Sequence, residues 1–130
     1  EANVKRLDME GSSILRFYWV KSKDLIVRLQ GTVQLTLAGT ANRLDGVFSD
    51  KSHFNGRYLR VKEAFVKTND EAVSDIAVTG NQHALARDKS DIYYYNLPQL
   101  RSDFMARNGS ILDMRPEELK AIQPHITYDR

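Results

Sequence analysis

The sequence contains no cysteine and only three prolines among its 130 residues. The lack of cysteine excludes disulfides, thiol catalysis and cysteine-bound metals. The longest apolar run, from Phe17 to Val20, is far shorter than the ~20 residues of a transmembrane helix, so no transmembrane segment is expected. The excess of positive charge is also small, at +2. Because phosphate affinity grows with the number of basic residues that meet phosphates together, this balance predicts no nucleic-acid partner.

The chain does contain a repeat. Its length and its 42% of hydrophobic residues predict one globular domain over residues 1–130. Within residues 10–112, a triplet of a small, a variable and a large apolar residue recurs six times, with its apolar anchors 20, 19, 22, 16 and 20 residues apart. The anchors are Leu15, Leu35, Phe54, Ile76, Ile92 and Leu112. A period of about twenty residues is typical of a solenoid.

The segments that begin at the anchors have the alternation of β-strands. Leu35-Thr36-Leu37 and Ile76-Ala77-Val78 place apolar residues two apart, on one face of a strand. Turn residues such as Asn55-Gly56, Asn69-Asp70 and Gly80-Asn81 stand between them. A unit this small cannot bury its own apolar face, so copies must stack. We therefore predict an all-β fold, a short right-handed parallel β-helix of five or six turns. An antiparallel sandwich or barrel is the competing architecture.

The C-terminal segment differs from the repeats. Residues 113–124 contain Pro116 where a first helical residue is favoured, followed by Glu117 and Glu118, and they end at Pro124. These features predict a short helix. Because the last turn of a solenoid exposes an apolar end, we expect this helix to cap it.

The repeats resemble a known family. The segments from Glu10 to Leu15, from Gln34 to Leu44 and from Asn55 to Val61 are similar to the repeated Gly-Ser-Ser-x-Leu-x-Leu-x-Gly-x-Ala-x-x-Leu phrase of the auto-transporter adhesin head GIN-domain family. The resemblance implies a parallel β-helix exported to a bacterial periplasm or cell surface, or secreted. It implies no established enzyme activity and no catalytic residues to carry over. We therefore expect a non-enzymatic binding or adhesion module, with a carbohydrate or protein at the cell surface as its partner.

An outward column of polar residues suggests one candidate site. Gln34, His53, Asp75 and Asp91 occupy the middle positions of their triplets. Two carboxylates one strand spacing apart repel unless a proton or cation lies between them. The column therefore predicts a weak Ca²⁺ or carbohydrate site at His53, Asp75 and Asp91, and no other cofactor is expected. The alternative is that these side chains are solvated and point apart.

Two aromatic runs form the second candidate site, Tyr18-Trp19 after Phe17 and Tyr93-Tyr94-Tyr95. Consecutive residues of a strand face opposite sides, so these rings cannot all lie in the core. Exposed tyrosine and tryptophan offer large flat surfaces with few rotamers to order, and they suit sugars or a protein partner. The alternative is that the rings cover the neighbouring turn.

The sequence leaves two further functions open. An enzyme acting on polysaccharides would use Asp75 and Asp91 with Lys51, Arg87 or Lys89 as base and charge neutraliser. No nucleophile elbow, phosphate loop or paired histidine motif supports an enzyme. A structural assembly unit would instead form homo-oligomers through unpaired edge strands.

Overall fold

A computed structural model describes residues 5–115 and the backbone of residues 125–129. Every regular element in these ranges is a strand, and no membrane-spanning helix occurs there. The strands are β1 (Arg6–Met9), β2 (Ile14–Leu29), β3 (Gln34–Phe48), β4 (His53–Thr68), β5 (Val73–Arg87), β6 (Asp91–Tyr94), β7 (Leu100–Ala106), β8 (Ser110–Asp113) and β9 (His125–Asp129).

Each described strand pairs in parallel with a strand one turn earlier or later in the chain. β2, β3, β4 and β5 stack over nearly their full lengths, and each bends to make most of a turn. After β5 the turn is split, because β6 and β7 pair with its two halves. The result is a β-solenoid of about six turns with about 19 residues per turn. The predicted parallel coil is confirmed, and the competing antiparallel sandwich or barrel is wrong. The right-handed sense of the coil stays a prediction.

The register follows the predicted anchors in the first half of the coil. Leu15 pairs with Leu35, and Leu35 pairs with Phe54. Phe54 then pairs with Ser74 rather than with Ile76. Ile92 pairs with Ile111 rather than with the exposed Leu112. Ser74 and Ile76 share a strand face, so the spacing of apolar residues alone does not fix which of them pairs with Phe54. Ile111 and Leu112 are adjacent and face opposite sides, and two consecutive apolar residues do not reveal which one faces inward.

The core consists of inward-facing columns whose character changes along the coil. In one column, Leu25 pairs with Leu44 and Leu44 with Ala64. The same column continues into Gln82 and Arg101, both buried. In this column, apolar side chains therefore fill the early turns and polar side chains fill the later turns.

Two buried charges lie in those later turns. The Arg101 guanidinium is 2.8 Å from the Asp103 carboxylate, and the Gln82 amide donates to the same carboxylate at 3.3 Å. Burial is the main cause that raises the pKa of Asp103 above its ordinary value, against the opposing charge of Arg101 and the Gln82 hydrogen bond. The ion pair thus carries a desolvation cost that an apolar pair would not.

The predicted capping helix falls largely outside the described residues. Asp113 is the last residue of β8, and Met114 and Arg115 are not helical. A helix therefore does not begin at residue 113. Residues 116–124, which contain the rest of the predicted helix, lie outside the described ranges.

Candidate ligand-binding corner

Irregularities in strand pairing cluster at one corner of the coil. The register shifts between Phe17 and Val20 in β2, and between Thr36 and Ala38 in β3. It shifts again in β4 after Asn55. Each shift is a β-bulge, which bends its strand and redirects side chains. We call this region the bulged corner, and it comprises residues 18–21, 38–40, 57–60, 77, 95–96 and 114–115.

An aromatic groove of about 640 Å³ opens at this corner. Tyr18, Trp19 and Tyr58 form its walls, with exposed fractions of 57%, 78% and 65%. Lys21 and Thr40 supply its polar edge. The groove therefore combines flat apolar surfaces with a few hydrogen-bonding groups, as small-molecule sites commonly do.

Trp19 is held in an unusual backbone conformation. Its φ of 63° lies in the left-handed region, which bulky residues rarely adopt. Its indole nevertheless remains the most exposed of the large apolar side chains described. The bulge therefore directs an uncovered ring into the groove from a strained backbone position. Backbone strain of this kind is typical of functional sites.

Gly39 lies at the floor of the groove and has no side chain to fill it. Its φ is 139°, and a Cβ at this position would overlap the carbonyl oxygen of Val20 on the preceding turn. Only glycine lets the two backbones approach so closely. The strands can therefore stack directly beneath Trp19 without a side chain filling the groove.

A second pocket, of about 360 Å³, adjoins the groove and shares Tyr58 with it. Arg57, Arg60 and Arg115 contribute positive charge to its wall. The Arg57 guanidinium lies 4.5 Å from the centroid of the Tyr95 ring and 5.5 Å from that of Tyr58. These cation–π contacts hold the guanidinium beside the pocket.

Asp75 fixes the side chains behind this pocket. Its carboxylate lies 2.8 Å from Nε2 of His53 and accepts a hydrogen bond from the Tyr95 hydroxyl at 3.3 Å. Burial, followed by the charge of Asp75, raises the pKa of Tyr95. Burial and then the charges of Asp91 and Asp75 raise the pKa of Tyr93. Both tyrosines therefore remain protonated well into alkaline solution.

The structure separates the five aromatic residues of the predicted site. Tyr18 and Trp19 lie together in the groove, while Tyr93 and Tyr95 are half-buried beside Asp75. Tyr94 is 4% exposed and lies under the Arg101 guanidinium, 4.7 Å from its ring centroid. Its ring faces inward, and a ligand contact by Tyr94 stays a prediction.

The predicted acidic column is not in register. Gln34 pairs with His53 as expected, but Asp75 pairs with Tyr93 and Asp91 pairs with Val73. Asp75 and Asp91 therefore lie one turn apart and two residues out of register. Among the residues that the structure describes, no three acidic or histidine side chains are grouped to hold a metal. Calcium binding at His53, Asp75 and Asp91 stays a prediction.

Sequence reasoning missed the basic side of the corner. Arg57, Tyr58 and Arg60 belong to a stretch of β4 in which six residues, from Asn55 to Arg60, oppose three of β5, from Asp75 to Ala77. The sequence carried no usable signal for it. The 22-residue spacing from Phe54 to Ile76 reflects the wrong anchor, because Phe54 pairs with Ser74, 20 residues further on, which is the same length as the turn from Leu15 to Leu35.

Comparison with known proteins identifies a family. The family model described as "Putative auto-transporter adhesin, head GIN domain" matches residues 1–98. No curated protein matches the sequence. The match covers the strands from β1 to β6 and all of the bulged corner except residues 114–115.

Proposed function

Since the chain belongs to the auto-transporter adhesin head GIN-domain family, we propose that it is a non-enzymatic carbohydrate-binding module, exported to a bacterial cell envelope. The bulged corner is its binding site. The observation that carries this proposal is Trp19, whose backbone is held in a left-handed conformation and whose large apolar side chain is 78% exposed.

The energetics of Trp19 support a role in binding. A left-handed conformation costs a non-glycine residue about 1–2 kcal/mol. Burial would offset such a cost in a residue that served the core, but this ring is left in water. Trp19 therefore weakens the isolated fold, and a bound partner that covers the ring is what would recover the loss.

The chemistry of the groove suits a sugar. The C–H face of a pyranose ring is apolar and flat, so it can lie against Trp19, Tyr18 or Tyr58. Its hydroxyl groups can pair with the Lys21 ammonium and the Thr40 hydroxyl at the edge. Among the described residues that line this groove, none is a carboxylate to serve as acid or base, which supports binding rather than hydrolysis.

A glycan array compares the parent protein with two variants. Trp19→Gly removes the ring and places a residue at position 19 that accepts positive φ, so we expect an intact fold and loss of glycan binding. Phe104→Ala is the matched control, because it removes an exposed ring from β7, outside the bulged corner. Glycan binding that survives Trp19→Gly would refute the site, and a parent protein that binds no glycan would refute the function.

One observation favours a second function, assembly through strand edges. β1 pairs only with the last four residues of β2, Ile26–Leu29, and among the described strands none pairs with Ile14–Phe17 on that side. Ile14 and Leu15 are also exposed there. An open, apolar edge can accept a strand from another chain. If it does, the parent protein will elute as an oligomer in gel filtration and Ile14→Lys will elute as a monomer.

A further inference from the structure

Arg57 is prepared to receive an anion. Its guanidinium stacks on Tyr95 at 4.5 Å and contacts the ring of Tyr58 at 5.5 Å, so aromatic rings restrict its movement. Within residues 5–115, its guanidinium N–H groups have no carboxylate or carbonyl acceptor. A fixed guanidinium loses little conformational entropy on binding, and its parallel N–H groups match two oxygens of a carboxylate or sulfate.

Further positive charge follows the same corner. Arg60 lines the pocket with Arg57, and it pairs across Thr40 with Lys21 in the groove. Arg60 and Lys21 are exposed, two turns or about 10 Å apart, and neither forms an ion pair with another described residue. Their spacing provides two successive positions for negative charge along the coil axis.

The nearby carboxylates are already engaged. Asp113 lies 2.6 Å from the Arg115 guanidinium, and Asp75 contacts His53 and Tyr95. Arg57, Arg60 and Lys21 therefore leave a local surplus of positive charge, although the whole chain carries only +2. Such a local surplus attracts anionic ligands to this corner.

We propose that the ligand is an acidic polysaccharide, with a carboxylate or sulfate group held by Arg57 and Arg60 and neighbouring sugar rings lying in the aromatic groove. This inference rests on the proposed function and deepens it by naming the class of sugar. Tyr58 carries the argument for one continuous ligand, because it lines both the pocket and the groove.

A nucleic acid fits this corner less well. Tight binding to a phosphate backbone needs many basic side chains in a row, and affinity falls steeply with salt as the number of contacts rises. Three basic residues spread over two turns, next to a largely apolar groove, match a ligand that combines a few anionic groups with the apolar faces of sugar rings. Single-stranded DNA is therefore the competitor that the experiment includes.

Isothermal titration calorimetry measures the binding of four probes to the full chain. The probes are an oligogalacturonate, the same oligomer with its carboxyl groups methyl-esterified, a sulfated galactan oligomer that carries sulfate but no carboxylate groups, and an oligothymidylate. The two acidic sugars distinguish carboxylate from sulfate. The ester preserves the sugar rings and removes the charge, so we expect it to bind about tenfold more weakly than the acid.

The variants assign the effect to the two arginines. In the Arg57→Gln/Arg60→Gln double variant, we expect affinity for the preferred acidic sugar to fall about tenfold or more and affinity for the ester to stay unchanged. Arg57→Lys keeps the charge but loses the planar fork, and we expect an intermediate loss. Lys67→Gln is the control, since it removes one exposed charge from another face of β4. Thermal melting confirms that each variant is folded.

The outcomes separate this inference from the proposed function. The proposal of an acidic ligand is overturned if the acid and the ester bind with equal affinity, or if the double variant binds the acid as tightly as the parent does. Sugar binding that depends on Trp19 would still support the proposed carbohydrate-binding function. If oligothymidylate binds more tightly than either acidic sugar, the ligand of this corner is a nucleic acid and not an acidic polysaccharide. Absence of binding to all three sugars overturns the inference, and the function falls with it only if the glycan array is also negative.

Discussion

The Asp50 carboxylate accepts a hydrogen bond from the backbone N–H of Gly31, one turn earlier in the coil, at 2.9 Å. The same bond recurs up the stack, from the N–H of Asp50 to Asp70 at 3.2 Å and from that of Asp70 to Asp88 at 3.4 Å. All three aspartates have φ near 60°. Each one therefore satisfies a backbone donor of the preceding turn while adopting a conformation that aspartate tolerates better than most residues.

The aspartate ladder predicts an order of stability at position 70. Asp70→Asn keeps a side-chain oxygen and tolerates the positive φ, so we expect the smallest change. Asp70→Gly loses the hydrogen bond and relieves the strain. Asp70→Ala loses the bond and keeps the strain, and it should lower the free energy of unfolding by about 2 kcal/mol. Urea denaturation measures the series, with Glu71→Ala as an exposed charge control. An alanine variant as stable as the glycine variant would contradict this account.

The buried pair of Arg101 and Asp103 predicts strong coupling. Removing one partner, as in Arg101→Met or Asp103→Val, leaves the other charge buried and should cost about 3 kcal/mol. Removing both should cost about 1 kcal/mol or less, because the desolvation of the pair disappears with the charges. A double-mutant cycle by chemical denaturation measures the coupling. Additive single effects would show that the pair does not act as a unit.

Asp103 also predicts a pH dependence. Its pKa in the folded chain is raised, mainly by burial, so the folded state holds this proton more tightly than the unfolded state does. Its contribution to stability is therefore fully present below the unfolded pKa near 4 and is lost as pH rises through the raised folded pKa.

Asp103→Asn provides the comparison, since it keeps a hydrogen-bond acceptor and does not titrate. The stability of the parent relative to this variant should decrease as pH rises from about 3.5. Denaturation curves at a series of pH values follow the difference. A relative stability that increases with pH over this window would mean that the Arg101 charge outweighs burial.

The glycine at the floor of the groove predicts that adding one methyl group there lowers the stability of the fold strongly. In Gly39→Ala, the new Cβ would overlap the Val20 carbonyl oxygen and the residue would keep a positive φ. We expect a loss of about 2 kcal/mol or more in the free energy of unfolding. Thermal and chemical denaturation test this, with Ala38→Ser, a substitution at the neighbouring groove residue, as the control. An unchanged midpoint would show that the two strands can move apart at the bulge.

The sequence was sufficient to predict the coil because its period survives in the pairing of Leu15, Leu35 and Phe54. It could not predict the later register. Ser74 is small yet lies inward and fully buried, so a search for large apolar anchors passes over it to Ile76. That shift of two residues also moved Asp75 out of the acidic column in which its triplet position had placed it.

The candidate site was predictable only where a local rule applied. Adjacent aromatics cannot share one strand face, which correctly indicated that Tyr18 and Trp19 include exposed rings. The same rule could not decide which of Tyr93, Tyr94 and Tyr95 faces inward. The positions of Arg57 and Arg60 depend on how a bulge in β4 is accommodated against β5, and this relationship exists only in the stacked coil.

The bulged corner also makes chain length adjustable at one place. Between Asn55 and Arg60, β4 uses three more residues than β5 does between Asp75 and Ala77, and β5 recovers one of them between Val78 and Asn81. From Glu63 to Thr68 the two strands pair regularly again. The corner therefore absorbs a difference in strand length locally, while the inward columns before and after it stay paired.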